Sequence, residues 1–321
     1  MHIQHDETDL RLSVASRHDV AEGVVALELR DAAGEALPAW SAGAHIDLNL
    51  APGMTRQYSL CGDPADRSTW RIGVLLEKQG RGGSRFVHDK LEEGCLIAAR
   101  GPRNHFVLDP AASYVFIAGG IGITPILPMV AAAADQGAEW ELHYGGRTLE
   151  TMAFRDQLSQ GEHAARVHLY PQDTSGLLDL KAILGTPRGD TLVYCCGPEP
   201  LLRAVEQQCE EWPAGALRVE RFAAVDQGTP VREEAFEVML AASGITLTVP
   251  PGRSILEVVN DAGVEVDSSC AEGICGTCET AVLDGEIDHR DSLLSPDERA
   301  ANDVMFICVS RAACPRITID L

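Results

Sequence analysis

Residues 268–278 of the chain read Ser-Ser-Cys-Ala-Glu-Gly-Ile-Cys-Gly-Thr-Cys. The three cysteines of this stretch, Cys270, Cys275 and Cys278, are separated by four and by two residues, and Cys308 follows at a distance. This is the spacing of the thiolate ligands of a plant-type [2Fe–2S] cluster. Four of the six residues between the thiols, Ala271, Gly273, Gly276 and Thr277, are small, and the glycines allow the backbone to approach inorganic sulfides closely. The stretch therefore predicts an iron–sulfur site.

Two alternatives concern this site. A zinc site usually pairs a Cys-x-x-Cys with a second close pair or with histidines, whereas here three thiols fall within nine residues and the fourth stands alone. The fourth ligand could also be Cys314 instead of Cys308. Cys308 lies in the apolar run 304–309, which predicts a buried strand, and Cys314 precedes Pro315 in a turn-like sequence. We predict a cluster held by Cys270, Cys275, Cys278 and Cys308.

Length and charge limit the functions that are open to the chain. Its 321 residues suggest two or three domains. The net charge of −22 argues against nucleic acid as a partner. Residues 234–321 carry 16 of the 48 acidic and 5 of the 26 basic residues, and so half of the net charge. This acidity either serves solubility or marks a face that docks on a basic patch of a redox partner.

The same composition gives an expectation for the compartment. No apolar run approaches the ~20 residues that a membrane span needs, and the first six residues show no signal peptide. Ten cysteines in a chain of this length, without such a signal, indicate reduced thiols. We expect a cytoplasmic protein without a membrane partner.

The pattern along the chain changes three times. Residues 1–110 contain short alternating strands separated by turn residues, which predicts an antiparallel barrel. In residues 111–226, continuous apolar runs alternate with helical segments such as 126–135 and 151–160, which predicts a parallel sheet covered on both faces. Residues 227–233 are polar and indicate a linker. Residues 234–321 predict a small α+β unit with a helix capped by Ser254 and Glu257.

The first binding motif is Gly119-Gly120-Ile121-Gly122-Ile123-Thr124-Pro125, between a predicted buried strand and a helix. Glycines let the backbone approach a pyrophosphate, and the helix N-terminus supplies N–H donors. Pro125 fits the first helical turn, although it stands where the Rossmann fingerprint has its third glycine. We predict dinucleotide binding in preference to a purely structural turn.

A second motif, Cys196-Gly197-Pro198, ends a later strand. Ligands bind at the carboxyl ends of strands in open α/β sheets. Alone, this motif would be a buried small residue before a turn. Beside the glycine motif, it predicts the floor under a nicotinamide.

A third constellation combines Arg56-Gln57-Tyr58-Ser59 with Gly82-Gly83-Ser84. On an alternating strand, Arg56 and Tyr58 point to one face and Ser59 to the other. Arginine can hold a phosphate, tyrosine can pack on a ring, and serine can donate a hydrogen bond. The two glycines and Ser84 indicate a second anion-binding helix start. Alone, an ordinary strand and turn would explain these residues.

With these motifs in this order, the chain resembles the phthalate dioxygenase reductase family of the ferredoxin–NADP reductase-like superfamily, and similar reductases of aromatic-ring demethylases. The resemblance covers nearly the whole chain. It implies an antiparallel β-barrel flavin domain, an α/β nicotinamide domain with a parallel sheet, and a C-terminal α+β ferredoxin domain of the β-grasp type. It also implies FMN, a [2Fe–2S] cluster and NADH as cofactors.

The resemblance assigns roles in flavin binding. Arg56 and Ser84 would hold the flavin phosphate, and Tyr58 and Ser59 would contact the ring system. Phe222 resembles the family's aromatic residue near the flavin, and plain core packing would explain it equally well.

For the nicotinamide, the resemblance implies that Thr124 and Cys196 flank the ring. The second strand of the parallel sheet ends in Tyr144-Gly-Gly-Arg147-Thr148, without an acidic residue. An acid there would favour a free ribose 2′-hydroxyl, whereas an arginine such as Arg147 can accommodate a 2′-phosphate. The residues thus leave NADPH open, and the resemblance implies NADH.

The resemblance further implies an NADH-dependent oxidoreductase that passes electrons through FMN and the cluster. The acceptor would be the Rieske-type component of an aromatic-acid dioxygenase or O-demethylase. Alternatives are a reductase for a cytochrome P450 and an iron–sulfur flavoprotein redox sensor. We predict no acid–base catalytic residue, because hydride passes directly between cofactor rings.

Overall fold

The structure, a computed structural model, describes residues 7–161, 163–225 and 227–321. These residues form two compact units, of which the first ends at Glu220 and the second begins at Arg221. The predicted boundary at Asp226 and the first six residues of the predicted flavin domain lie outside the described residues.

The first half of unit 1 is an antiparallel sheet of six strands in the order β4-β3-β6-β1-β2-β5. An antiparallel bridge between Leu60 and Ile72 joins the chain after β4 to β5 and closes the sheet into a barrel. Its interior is filled by apolar side chains such as Leu27, Ile46 and Trp70, which are fully buried. The elements are β1 (Thr8–Ala21), β2 (Val24–Asp31), β3 (His45–Ala51), β4 (Met54–Ser59), β5 (Trp70–Leu75), α1 (Gly83–Lys90) and β6 (Leu96–Arg103).

The second half of unit 1 is a parallel sheet of five strands in the order β11-β10-β7-β8-β9. The central strand β7 is buried on both faces, as its apolar run predicts. The strands are β7 (Ser113–Gly119), β8 (Glu139–Gly146), β9 (Val167–Pro171), β10 (Thr191–Cys196) and β11 (Leu217–Glu220). The helices are α2 (Ile123–Asp135), α3 (Arg155–Ser159), α4 (Gln172–Ser175), α5 (Leu180–Leu184) and α6 (Glu199–Gln208).

One predicted helix is shorter than expected. The pattern predicts a helix over 151–160, whereas α3 begins only at Arg155. Phe154 adopts a left-handed backbone conformation with φ of 58°. Such a residue cannot continue a right-handed helix, so the helix is interrupted there.

The barrel and the parallel sheet share one apolar core. A single cluster of buried side chains contains Val24 and Phe106 from the barrel side together with Phe116 and Tyr194 of the parallel sheet. At Gly73 of β5, a Cβ atom would lie 2.9 Å from Cγ2 of Thr124 in the first turn of α2. The carboxyl edge of the parallel sheet therefore packs directly against the barrel.

Unit 2 is built on a mixed sheet of five strands in the order β13-β12-β18-β14-β16. The predicted capping box is confirmed, because Ser254 Oγ accepts from the Glu257 N–H at 3.1 Å and Glu257 Oε2 accepts from the Ser254 N–H at 2.8 Å. No helix among the described residues has the length and apolar character that a membrane crossing requires. The elements are β12 (Phe236–Leu240), β13 (Ile245–Val249), α7 (Ile255–Asp261), β14 (Glu279–Asp284), β15 (Ile287–Asp288), α8 (Pro296–Ala301), β16 (Val304–Phe306), β17 (Arg311–Ala312) and β18 (Arg316–Ile319).

Candidate functional site

The four cysteines predicted as cluster ligands lie together in unit 2. The Cys270 thiol contacts those of Cys275 and Cys308, and the Cys308 thiol also contacts that of Cys278. All but Cys270 are buried, and Cys270 is half-buried. The Glu272 N–H donates to Cys270 Sγ at 3.3 Å, as expected of a loop whose amides point at a negatively charged group.

The electrostatics of these thiols test whether a cluster fits. Hydrogen bonds from Cys275 and Cys308 lower the pKa of Cys270, and hydrogen bonds to Cys270 and Cys278 raise the pKa of Cys308 far above its ordinary value. Thiolates this close repel one another and can be ionised together only around a positive group. The irons of a [2Fe–2S] cluster supply that charge. In the described ranges, no three His, Cys, Asp or Glu side chains are placed to hold a single ion.

Local geometry explains the cluster loop and separates Cys308 from Cys314. Gly273 has φ of 68°, and a Cβ atom there would lie 2.5 Å from Cγ2 of Val309, so this position requires glycine. Cys314 Sγ is engaged elsewhere, since it donates to the Arg316 carbonyl at 2.9 Å and accepts from the Glu286 N–H at 3.2 Å. The structure therefore brings Cys308, and not Cys314, to the other three thiols.

The predicted strand around Cys308 is wrong in its extent. β16 ends at Phe306, and Cys308 lies in the following turn. The N–H groups of Val309 and Ser310 both donate to the Phe306 carbonyl, which closes the turn. The run is apolar because the turn is buried, not because it continues the strand.

The predicted flavin phosphate residues meet at the start of α1. A Cβ atom on Gly83 would lie 2.5 Å from Cγ of Arg56. The Arg56 guanidinium donates to the carbonyls of Thr55 at 2.7 Å and Arg81 at 3.1 Å, which holds it beside the helix N-terminus. Ser84 Oγ accepts from the Glu77 N–H at 3.0 Å, so its own proton can be donated to a ligand. An arginine beside a helix start forms a site for a phosphate group.

The rest of the strand divides between its two faces. Gln57 Nε2 donates to Asp47 Oδ1 at 3.1 Å across the β3–β4 pair. The Gln57 side chain is thus engaged within the barrel, and its backbone remains available to a cofactor. Burial raises the pKa of Tyr58 to about 12, so its phenol stays neutral and can donate a hydrogen bond. Ser59 follows it and is buried.

The two nucleotide motifs pack backbone against backbone. β7 and β10 are parallel neighbours, with Ala118 opposite Cys196. A Cβ atom on Gly122 would overlap the Cys196 carbonyl, and one on Gly119 would lie 2.7 Å from Cδ of Pro198. The glycines are therefore required by this close approach as well as by any ligand. Gly120 adopts φ of 55°, and a Cβ there would meet nothing.

The helix start beside these motifs is also fixed. Thr124 Oγ1 donates to the Ile121 carbonyl at 2.9 Å and is buried, and Pro125 lies in the first turn of α2, as predicted. Gly197 packs on Gly119, with 3.0 Å between a Cβ built on Gly197 and Cα of Gly119. The crevice between β7 and β10 is thus a rigid feature of the backbone.

Glu220 is a site residue that sequence reasoning missed. It ends β11 opposite Cys196, and the Cys196 thiol donates to Glu220 Oε2 at 3.8 Å. Burial raises the pKa of Glu220 to about 8 and that of Cys196 well above its ordinary value. Both groups therefore carry their protons at neutral pH. The only available signal was the position of Glu220 at the carboxyl end of a predicted strand.

Two predicted residues lie on exposed surface. Phe222 is 43% exposed, so core packing does not account for it. Arg147 is exposed after β8, and its guanidinium makes no hydrogen bond or ion pair with the described residues. The N–H of Asp173 donates to the Arg147 carbonyl at 3.1 Å, which places an acidic residue, also missed by sequence reasoning, beside it.

We predict that Cys308→Ser destroys the normal cluster spectrum, because it removes a thiol that contacts two others, while NADH-dependent flavin reduction is retained. Visible absorbance and electron paramagnetic resonance of the purified protein measure this. Cys314→Ser is the matched control and should keep a normal cluster. The reverse pattern would show that Cys314 is the ligand.

We predict that Glu220→Gln flattens the dependence of unit 1 stability on pH. Between the ordinary glutamate pKa of 4.5 and the raised value of about 8, the folded chain binds one proton more than the unfolded chain. The free energy of unfolding of the natural protein therefore falls as pH rises through this window and is unaffected below it. Thermal midpoints across the window should fall less for Glu220→Gln than for the exposed control Glu210→Gln. Equal slopes would contradict the raised pKa of Glu220.

Comparison with known proteins agrees with this architecture. A family model described as a 2Fe-2S iron-sulfur cluster binding domain matches residues 238–313, and one described as an oxidoreductase NAD-binding domain matches residues 116–207. The chain is 45% identical over 303 residues to the phenoxybenzoate dioxygenase subunit beta of Ectopseudomonas oleovorans, with 94% of each chain covered.

Two solved structures extend the comparison. The crystal structure of an intact type IV self-sufficient cytochrome P450 monooxygenase matches 98% of this chain with a TM-score of 0.92 and 43% identity. This chain spans only 41% of that one. A phthalate dioxygenase reductase, described as a modular structure for electron transfer from pyridine nucleotides to [2Fe–2S], matches with a TM-score of 0.71 and 38% identity over 98% of both chains.

These findings confirm the predicted fold class, the [2Fe–2S] and NAD-binding domains and the oxidoreductase class. The flavin of the phthalate dioxygenase reductase family is FMN, as the resemblance implied. Because the similarity extends over almost the whole of both chains, this protein belongs to the phthalate dioxygenase reductase family.

Proposed function

We propose that this protein is the reductase component that transfers electrons from NADH to the Rieske-type component of an oxygenase or O-demethylase acting on an aromatic acid. The observation that carries the proposal is the presence, in one chain, of four contacting thiols and a glycine-lined nucleotide crevice beside a flavin-type barrel. When bound, the flavin takes up hydride and supplies single electrons to the iron–sulfur group.

Within this function, the chain's own residues bind and orient. Arg56, Gly82 and Gly83 form the phosphate site with Ser84, while Tyr58 and Ser59 lie at the flavin ring system. Gly120, Gly122 and Pro125 admit the pyrophosphate to the start of α2, and Thr124, Cys196, Gly197 and Pro198 line the nicotinamide crevice. Burial keeps the Cys196 thiol and the neighbouring Glu220 carboxyl protonated, so no negative charge opposes the approach of a hydride donor.

The charge of unit 2 and the relatives of this chain both favour an oxygenase component as the acceptor. Residues 234–321 hold 16 acidic and 5 basic residues, which suits docking on a basic surface. The phenoxybenzoate relative is named as part of a dioxygenase, which supports an oxygenase partner of an aromatic acid. A cytochrome P450 is the second candidate acceptor, because a P450 chain contains a region that matches 98% of this chain. Membership of a reductase family argues against the redox-sensor alternative.

Reconstitution tests the acceptor. We predict that the protein, NADH and a Rieske aromatic-acid oxygenase give product, and that the rate falls as salt is raised, because screening weakens the attraction to the acidic unit. Flavin reduction by NADH alone should not show this salt dependence, which provides the control. Turnover only with a P450 would overturn the choice of acceptor, and slow reduction by NADH would favour a sensor.

Two charged residues at the carboxyl edge of β8 and β9 bear on the choice of coenzyme. Arg147 attracts a 2′-phosphate, whereas the exposed carboxylate of Asp173 repels it and can accept from a ribose hydroxyl. Neither side chain has an ion-pair partner among the described residues, so both are available to a ligand. No acidic residue follows β8 directly, but Asp173, which follows the end of β9, lies beside Arg147. This supports NADH as the donor.

We predict that Asp173→Ser raises kcat/KM for NADPH relative to NADH roughly fivefold to tenfold, which corresponds to removal of about 1 kcal/mol of like-charge repulsion. Arg147→Gln should instead lower the use of NADPH. Asp190→Ser, an exposed acid at the opposite edge of the sheet, is the control. An unchanged coenzyme ratio in both variants would place the ribose elsewhere.

A further inference from the structure

The first segment of unit 2 is tied by hydrogen bonds to a segment near the cluster site of the same unit. We name Val225 and residues 227–231 the strap, and residues 288–292 the bridge. The strap overlaps the polar stretch interpreted above as a linker. Four hydrogen bonds join the two: Val225 N–H to Ser292 Oγ at 3.0 Å, Gln227 Nε2 to the Asp291 carbonyl at 3.2 Å, Arg290 Nη2 to the Gly228 carbonyl, and Val231 N–H to Asp288 Oδ2 at 3.0 Å.

The bridge in turn contacts both parts of the cluster site. The Ser292 N–H donates to the carbonyl of Gly273, between the first two predicted ligands, at 2.9 Å. A Cβ on Gly273 would lie 3.0 Å from Cα of Asp291. The Arg290 N–H donates to Ser310 Oγ at 3.1 Å, and Ser310 is fully buried two residues after Cys308. One short segment thus contacts the loop of three thiols and the turn that carries the fourth.

The bridge is also held from within unit 2. Asp291 is fully buried, and its Oδ2 accepts from the N–H groups of Leu293 and Leu294 at 3.1 and 2.9 Å. Arg299 Nη2 donates to the Asp291 carbonyl at 2.6 Å. Contacts with residues 293–299 therefore fix the bridge at Asp291, and the strap adds its four hydrogen bonds to the same segment.

We propose that the strap is a positioning element for the [2Fe–2S] cluster. Its hydrogen bonds fix the bridge, and the bridge fixes Gly273 and Ser310, so that loop 270–278 and Cys308 are held together. Gln227 and Ser292 are positioning residues, since they act through the bridge and do not touch the thiols. The proposal deepens the proposed function and rests on its ligand set.

The test is the double variant Gln227→Ala/Ser292→Ala in the full-length protein, which removes two strap hydrogen bonds and leaves the Ser292 N–H in place. The loss of these two hydrogen bonds should increase the rate of iron release to a chelator by roughly tenfold. The electron paramagnetic resonance spectrum and the reduction potential of the cluster should also change. NADH-dependent flavin reduction should stay as in the natural protein. Ser292→Thr keeps the hydroxyl acceptor and should behave as the natural protein does.

The matched control is Thr246→Ala on β13, which loses side-chain hydrogen bonds to Met239 Sδ and from Arg316 of β18. The proposal is overturned if the double variant releases iron at the natural rate with an unchanged spectrum. It is equally overturned if Thr246→Ala gives the same changes, or if Ser292→Thr fails to preserve natural behaviour. A normal cluster in Cys308→Ser would refute the ligand set instead, whatever the strap variants show.

Discussion

Repulsion between thiolates is the constraint on which unit 2 depends. Four thiols joined by a chain of contacts cannot all be ionised without positive charge among them. The polypeptide must therefore hold together thiols that can all ionise only when the iron is present. Glycine at position 273, a closed turn after Phe306 and the bridge all restrict the backbone around the thiols. The fold thus holds the four sulfur atoms close together, although thiolates alone would repel one another.

In unit 1, the order of strands in the parallel sheet brings the two nucleotide motifs together. The chain runs from β7 outward through β8 and β9, and then returns to the other side of β7 for β10 and β11. The order of strands thus reverses between β7 and β10, and ligands of open α/β sheets bind at such a reversal. Gly122 and Cys196 meet at this point, with no space for a Cβ atom between them. The nucleotide motifs are far apart in sequence because topology, not proximity along the chain, brings them together.

The sequence predicts those features that depend on local patterns. Cysteine spacing, the glycine motif after a buried strand and the capping box of Ser254 and Glu257 each carry their own local signal. Features that depend on contacts across the fold have no such signal. Glu220 meets the Cys196 thiol only because β11 pairs with β10, and Asp173 stands beside Arg147 only because β9 pairs with β8. α3 is shortened because Phe154 adopts a left-handed backbone conformation. A phenylalanine side chain gives no reason to expect that conformation.

The division of the chain into units follows the chemistry that each must perform. Hydride transfer requires its two rings to be in contact and aligned, because reacting atoms must approach to within about 3.5 Å. Flavin and nicotinamide sites therefore belong in one rigid body, and the barrel and parallel sheet indeed share a single apolar core. An electron tolerates a longer separation between donor and acceptor than a hydride does. The iron–sulfur site can therefore occupy a compact unit of its own with a separate core, whose internal demand is the precision of the ligand loops.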